Sequence, residues 1–130
     1  MSDPVRAIVA GHGDFAAGLI SAVTQISGQG EQFVALSNRD MSAQDVERAM
    51  RELAAQGVGV IFTDLPAGSC TMAARRLQRE RPELAIVTGT NLATLLDFVF
   101  HLDLSAMEAA RHAVDKGRAS LAITGATGGD

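Results

Sequence analysis

Ala7-Ile8-Val9-Ala10-Gly11-His12-Gly13 is the stretch that decides how this chain folds. Four apolar residues in a row, halted by glycine, read as a strand covered on both faces, the kind that builds parallel sheets. Directly after it, Phe15, Leu19, Val23 and Ile26 recur at helical spacing, and Gly28 stops them. Phe33-Val34-Ala35-Leu36 is the second strand candidate. Strand, helix, strand is the unit of a sheet wound on both faces.

The pattern continues outward from there. Ser42 with Asp45 three residues on is a capping signature, opening a helix with Val46, Met50 and Leu53 that ends at Gly57. Val58 to Thr63 is a third strand candidate, followed by the loop Asp64-Leu65-Pro66-Ala67-Gly68. The next helix carries Met72, Ala73 and Leu77 and is closed by Pro82. Arg75, Arg76, Arg79 and Arg81 read as its solvated face, with Glu80 and Glu83. Leu84 to Thr88 is the fourth strand candidate, leading through Gly89-Thr90-Asn91 into a helix from Leu92 to Phe100. Ser105 with Glu108 opens a last helix that Gly117 is expected to end, and Leu121-Ala122-Ile123-Thr124 is a short fifth strand candidate. The expected fold is α/β: a doubly wound, mostly parallel sheet of four strands plus a short C-terminal edge strand. Residues 1–124 form one domain in this reading, and residues 125–130 a tail or linker.

Composition excludes several classes. The chain has 130 residues, enough for a core without staples; 47% are hydrophobic and 20% charged, which is globular rather than disordered. A single cysteine allows no internal disulfide. No apolar run reaches the roughly 18 residues of a membrane span, and Met1-Ser2-Asp3-Pro4 does not read as a signal peptide. A cytoplasmic location is therefore expected. The net charge of −4 and the absence of Trp and Tyr disfavour nucleic acid as a partner.

In an open parallel sheet the ligand site lies beyond the carboxyl ends of the strands. There the chain places Gly11-His12-Gly13-Asp14, Ser37-Asn38-Arg39-Asp40, Asp64 with Gly68-Ser69, and Gly89-Thr90-Asn91. Were the first, third and fourth strands neighbours, adjacent loops would lie about 5 Å apart, and His12 could touch Asp64. A carboxylate that takes the proton of one ring nitrogen leaves the other nitrogen a nucleophile. Helices beginning near Asp14 and Ser69 would aim unpaired amides at the same space, which suits an anion. Gly13, Gly68 and Ser69 are accordingly the candidate phosphate-binding positions, and His12 and Asp64 the catalytic ones. This set fits a transient phosphoryl group on histidine, with no metal or organic cofactor.

At these residues the chain resembles the mannose-type IIA proteins of the bacterial phosphoenolpyruvate-dependent sugar phosphotransferase system. The matching pieces are Ala7 to Gly13, Thr63-Asp64-Leu65-Pro66-Ala67-Gly68-Ser69, and Gly89-Thr90-Asn91-Leu92, so the likeness runs from about Arg6 to Thr124. It implies a phosphorylated histidine, carried by His12, an aspartate bonded to that ring, carried by Asp64, and a serine near the phosphate, carried by Ser69. It implies a phosphoryl group taken from the histidine-containing phosphocarrier protein and passed to a IIB component, with contact to the membrane only through the IIC and IID components. It implies a homodimer in which the last strand, Leu121 to Thr124, is exchanged. Two departures stand out. Where the family usually has Gly-Gly-Ser-Pro this chain has Ala67-Gly68-Ser69-Cys70, and where it usually has proline after the asparagine this chain has Ala93. Alanine at 67 would be strained if the loop needed a positive φ there, and Cys70 keeps an amide N–H that proline lacks.

The same residues admit other readings. A phosphocarrier subunit of a dihydroxyacetone kinase and a regulatory module phosphorylated on histidine share the fold and the nucleophile. A cysteine-dependent hydrolase would use Cys70 with His12 as its base. Ser69 is read most simply as a helix N-cap, and Asn91 as a cap that could also wall the site. Leu65, Pro66, Phe15 and Met72 are expected near the site mouth, as core or as an apolar landing surface. His101 and Asp103, two residues apart, are a poor metal pair, and His112 sits within a helix; all three are read as structural or solvent-facing.

Overall fold

A computed structural model of the chain describes residues 5–125. Four strands, β1 (Ala7–Gly11), β2 (Phe33–Ser37), β3 (Val60–Thr63) and β4 (Ala85–Val87), form one sheet in the order β2-β1-β3-β4. All three pairings are parallel. Five helices accompany them: α1 (Phe15–Ser27), α2 (Ala43–Ala54), α3 (Ser69–Glu80), α4 (Leu92–Val99) and α5 (Ala106–Ser120). A single turn of 3-10 helix, Gly30–Gln32, precedes β2.

The alternation of side chains along the strands divides the core in two. Ala7, Val9, Val60 and Phe62 face one way and pack under α1, α4 and α5, through Ala16 and Val23, Leu95 and Phe98, and Ala109 and Ala113. Ile8, Ala10 and Ile61 face the other way and pack under α2 and α3, through Val46 and Met50, and Ala73 and Leu77. Both faces of β1 and β3 are thus buried, which is why those strands read as unbroken apolar runs.

The helix boundaries follow the signals in the sequence. Gly28 takes the left-handed conformation, φ 73°, and ends α1. Ser42 accepts from the Asp45 amide while the Asp45 carboxylate accepts from the Ser42 amide, a complete capping box at the start of α2. Ser105 caps α5 by accepting from the Glu108 amide. Arg75, Arg76 and Arg79 of α3 are solvated as expected, Arg76 pairing with Glu47 of α2; Arg51 of α2 pairs with Glu80, and Arg81, just past α3 and half-buried, pairs with Glu83. Arg81 also donates to the Ala54 and Val58 carbonyl oxygens, so it fastens the end of α2 as well.

The C-terminal end differs from the sequence reading. Gly117 does not end α5, which continues to Ser120. The glycine is there for space: a Cβ at 117 would drive into the Thr94 hydroxyl of α4. Leu121 to Thr124 forms no strand in the single chain; it follows α5 without regular structure and in full contact with solvent, Leu121 being 84% and Ile123 77% exposed. Of the segment read as a tail, residues 126–130 lie outside the described residues, as do residues 1–4.

Candidate functional site

The chain passes from β1 to β2 on one side and then crosses back to β3 on the other, so the loops leaving β1 and β3 diverge. Such a switch point is where parallel sheets leave a crevice for a ligand. His12 is the first residue after β1 and Asp64 the first after β3, and the two meet there. His12 Nδ1 lies 2.7 Å from Asp64 Oδ2, and the His12 backbone N–H donates to the same oxygen at 2.9 Å.

Gly11 makes that meeting possible. A Cβ at this position would sit 2.8 Å from Asp64 Oδ2 and 2.7 Å from the Phe15 ring, so any larger residue would push the carboxylate away. The histidine side chain is 57% exposed while that of Asp64 is only 11% exposed. Burial by itself would raise the Asp64 pKa. Against it act the hydrogen bonds from the His12 ring and backbone, the attraction of His12, and the Asp64 backbone N–H, and together they hold the carboxyl below its ordinary value. An ionised carboxylate only accepts, so the proton between the two groups resides on Nδ1. In the neutral form of that ring the lone pair is on Nε2.

The phosphate-binding candidates surround this ring. Gly68 lies beside it: a Cβ at 68 would be 3.5 Å from His12 Cε1. Gly68 has φ 122°, a conformation that L side chains rarely adopt. Ser69 is the first residue of α3 and Gly68 is its N-cap, so the expected N-cap role of Ser69 is corrected by one position. The Ser69 hydroxyl instead accepts a hydrogen bond from Asn38 Nδ2 at 2.9 Å, which leaves its own proton to point elsewhere. The first amides of α3 have no partner within the helix, and Gly68, where the helix starts, lies against the His12 ring. Thr71 Oγ1, within 2.7 Å of Thr63 Oγ1 and 2.6 Å of the Leu65 carbonyl oxygen, ties the loop down. Gly13 sits under the Arg39 guanidinium, which pairs with Asp14 at 3.1 Å.

Asn38 and Arg39 were not singled out from sequence. Their only signal was position, in the loop after β2 at the edge where every other site residue lies. Asn91, offered as a possible wall, is a cap alone: its Oδ1 accepts from the Thr94 amide and its Nδ2 donates to the Gly117 carbonyl oxygen, fixing α4 to α5. Ala67 has no positive φ, so its departure from the family pattern costs the loop nothing. Leu65 and Met72 are exposed, at 53% and 42%, whereas Phe15 packs against the core. Cys70 is buried at 1% exposure, and desolvation, with the Asp64 charge adding to it, pushes its thiol up to about 11. A thiol so placed is a small hydrophobe, which removes the basis for a cysteine nucleophile.

Residues 6–115 match the family model described as PTS system fructose IIA component. The chain belongs to this family, whose members are phosphocarriers of the sugar phosphotransferase system. Among solved structures it is similar to phosphotransferase system component EIIA from Streptococcus agalactiae, with a TM-score of 0.81 and 22% identity over 91% of this chain and 95% of that one. It is also similar to the mannose/sorbose specific IIA subunit from Enterococcus faecalis, with a TM-score of 0.80 and 18% identity over 95% of this chain and 96% of that one. A third is the PTS IIA protein associated with the fucose utilization operon from Streptococcus pneumoniae, with a TM-score of 0.77 and 22% identity over 93% of this chain and 94% of that one. No curated protein matches the chain. The mannose-type resemblance and the doubly wound parallel fold are thereby established. No helix among the described residues is long and apolar enough to cross a membrane.

Proposed function

We propose that His12 is the phosphoryl acceptor, taking the group from a phosphohistidine of the histidine-containing phosphocarrier protein and passing it to a IIB component. The observation that carries this is the 2.7 Å contact of His12 Nδ1 with a mostly buried carboxylate, which leaves Nε2 free and facing solvent. The Nε2 lone pair attacks phosphorus in line. A new P–N bond forms, the donor's P–N bond breaks, and its electron pair returns to the donor imidazole. Positive charge grows on the His12 ring as this happens, and Asp64 stabilises it. The α3 amides and the Ser69 hydroxyl, kept available by Asn38, are placed to hold the phosphoryl oxygens. Leu65 and Met72 beside the crevice offer a carrier protein apolar contact in the cytoplasm.

The same reading includes a homodimer. The outer edge of β4 is unpaired among the described residues, and beside it runs a groove of about 450 Å³ lined by Ala85, Val87, Met107 and Val114. Leu121 and Ile123 of a second copy supply the apolar segment that such an edge lacks.

Incubation with phosphoenolpyruvate, enzyme I and the phosphocarrier protein is expected to place acid-labile phosphate on His12. Uptake of label by His12→Ala would refute the assignment. Onward transfer to a IIB protein separates transport from the other two roles: transfer only to a dihydroxyacetone kinase favours the kinase subunit, and transfer to neither favours a regulatory module.

A further inference from the structure

Among the described residues, and apart from the switch-point crevice, one cluster brings together side chains with ligand chemistry. Asp97, in the last turn of α4, His101, one turn further on, and His112, in the middle of α5, place one ligand atom each within 4.8 Å of one another. His112 Nδ1 is 2.7 Å from Asp97 Oδ2, and His101 Nε2 is 3.4 Å from Asp97 Oδ1. The two imidazole rings lie against each other, with centroids 4.1 Å apart and planes at 49°. Sequence spacing sets His101 beside Asp103; in the structure the turn that follows α4 brings it to Asp97, four residues earlier.

We propose that Asp97, His101 and His112 form a site for one divalent transition-metal ion, with Zn²⁺ the ion best suited. Two imidazoles and a carboxylate are a common three-residue donor set for zinc, with the fourth position left to water. Bonds of about 2.0–2.1 Å in a tetrahedron put ligand atoms roughly 3.3 Å apart. The His101–Asp97 separation already has this value, and small rotations of His112, 44% exposed, and of His101 bring in the rest. When the ion binds, His112 takes the tautomer with its proton on Nε2, exchanged through solvent, and the Nδ1 lone pair turns to the metal.

The backbone around the cluster is held independently of it. Arg6 donates to the Phe98 and His101 carbonyl oxygens, and Gln32 donates to that of Val99. The turn that carries His101 is therefore clamped before any ion arrives, and the main-chain acceptors nearby are taken. The three side chains make no other hydrogen bonds among the described residues. The positive charge of Arg6 is directed at the carbonyls, and Lys116, one turn beyond His112, is exposed and free to turn outward. An ion held here would tie the end of α4 to α5.

The test is titration of Zn²⁺ alone into protein carrying no histidine tag, by calorimetry, with Co²⁺ absorption as the geometric readout. One ion per chain is expected, with the visible bands of a four-coordinate Co²⁺ site. His101→Gln and His112→Gln should each weaken binding by at least about tenfold, a value typical of losses even outside the ligand shell. His12→Gln should leave affinity within about twofold and should still show a Zn²⁺-dependent rise of several degrees in Tm. Absence of Zn²⁺ binding overturns the proposal. So does binding that disappears in His12→Gln, or that survives unchanged in both the His101 and the His112 variant.

Discussion

Replacing Asp64 by asparagine tests the proposed mechanism at its centre. The change keeps the shape of the side chain and removes its charge. A hydrogen bond to a charged acceptor is worth about 1.5–3 kcal/mol, against roughly 1 for a neutral one, so the ring bond loses ~1 kcal/mol. A full charge on the imidazole about 4 Å from the carboxylate is stabilised by ~4 kcal/mol at an effective dielectric of about 20. His12 is 57% exposed, so water screens much of this, and roughly half is retained at such a site. The loss in the transition state is then ~3 kcal/mol, which at about 1.4 kcal/mol per decade slows transfer on the order of 100-fold. An asparagine oxygen in the place of Oδ2 still accepts from both the His12 backbone N–H and Nδ1–H, so the ring keeps its orientation and the charge alone is lost. The assay is the initial rate of phosphoryl uptake from the phosphorylated carrier protein, with circular dichroism to verify the fold. A rate within threefold of the wild type would show that the negative charge of Asp64 does not stabilise the charge developing on the ring.

Gly68→Ala should lower stability by about 1–3 kcal/mol, because φ 122° is a backbone region that only glycine occupies readily; a urea midpoint unchanged from wild type would contradict this. Cys70 should stay unreactive toward a thiol reagent in the native protein at neutral pH and react at once in denaturant, since burial pushes its pKa to about 11; rapid native labelling is the contrary result. The stability advantage of wild type over Asp64→Asn should be fully present above the ordinary Asp value of 3.8 and should shrink as pH falls through the lower value of the folded state. The sign follows because the folded protein binds the proton more weakly than the unfolded chain. Urea unfolding at a series of acidic pH values measures it, and a gap independent of pH would refute it.

Most of the scaffold could be read from sequence because each element carried its own local cause. Both faces of β1 and β3 are covered, so their residues had to be apolar without interruption, and Gly28, Ser42 and Ser105 act within a turn of where they stand. The meeting of His12 with Asp64 followed from topology once β1 and β3 were taken as neighbours. What escaped was set by contacts between distant segments. The length of α5 depends on Gly117 fitting against Thr94 of α4, a clash that no local signal at 117 expresses. The link from Asn38 to Ser69 joins two loops 31 residues apart. Leu121 to Thr124 has strand composition, but a strand needs a neighbour, and the single chain provides none.

The molecule holds two histidine–aspartate contacts of the same length, His12–Asp64 and His112–Asp97, each 2.7 Å from Nδ1 to Oδ2. The pair alone therefore cannot define a phosphoryl acceptor, and the surroundings must decide. Beside His12 stand the open amides at the start of α3, a hydroxyl whose proton is left free by Asn38, and a glycine that lets the backbone approach the ring. Amides and a hydroxyl proton attract an anion, and the glycine leaves it room. His112 lies in the middle of α5, where the amides are already bonded within the helix, with Glu108 one turn before it and Asp115 nearly one turn after it. A phosphoryl group there would meet the like charge of Asp97, which already bonds the ring, and a second imidazole presses against the ring. On the two proposals made above, the same hydrogen bond serves a negatively charged group at His12 and a positive ion at His112. The contrast makes a combined prediction: phosphoryl label should follow His12 and ignore His112, and zinc should do the reverse.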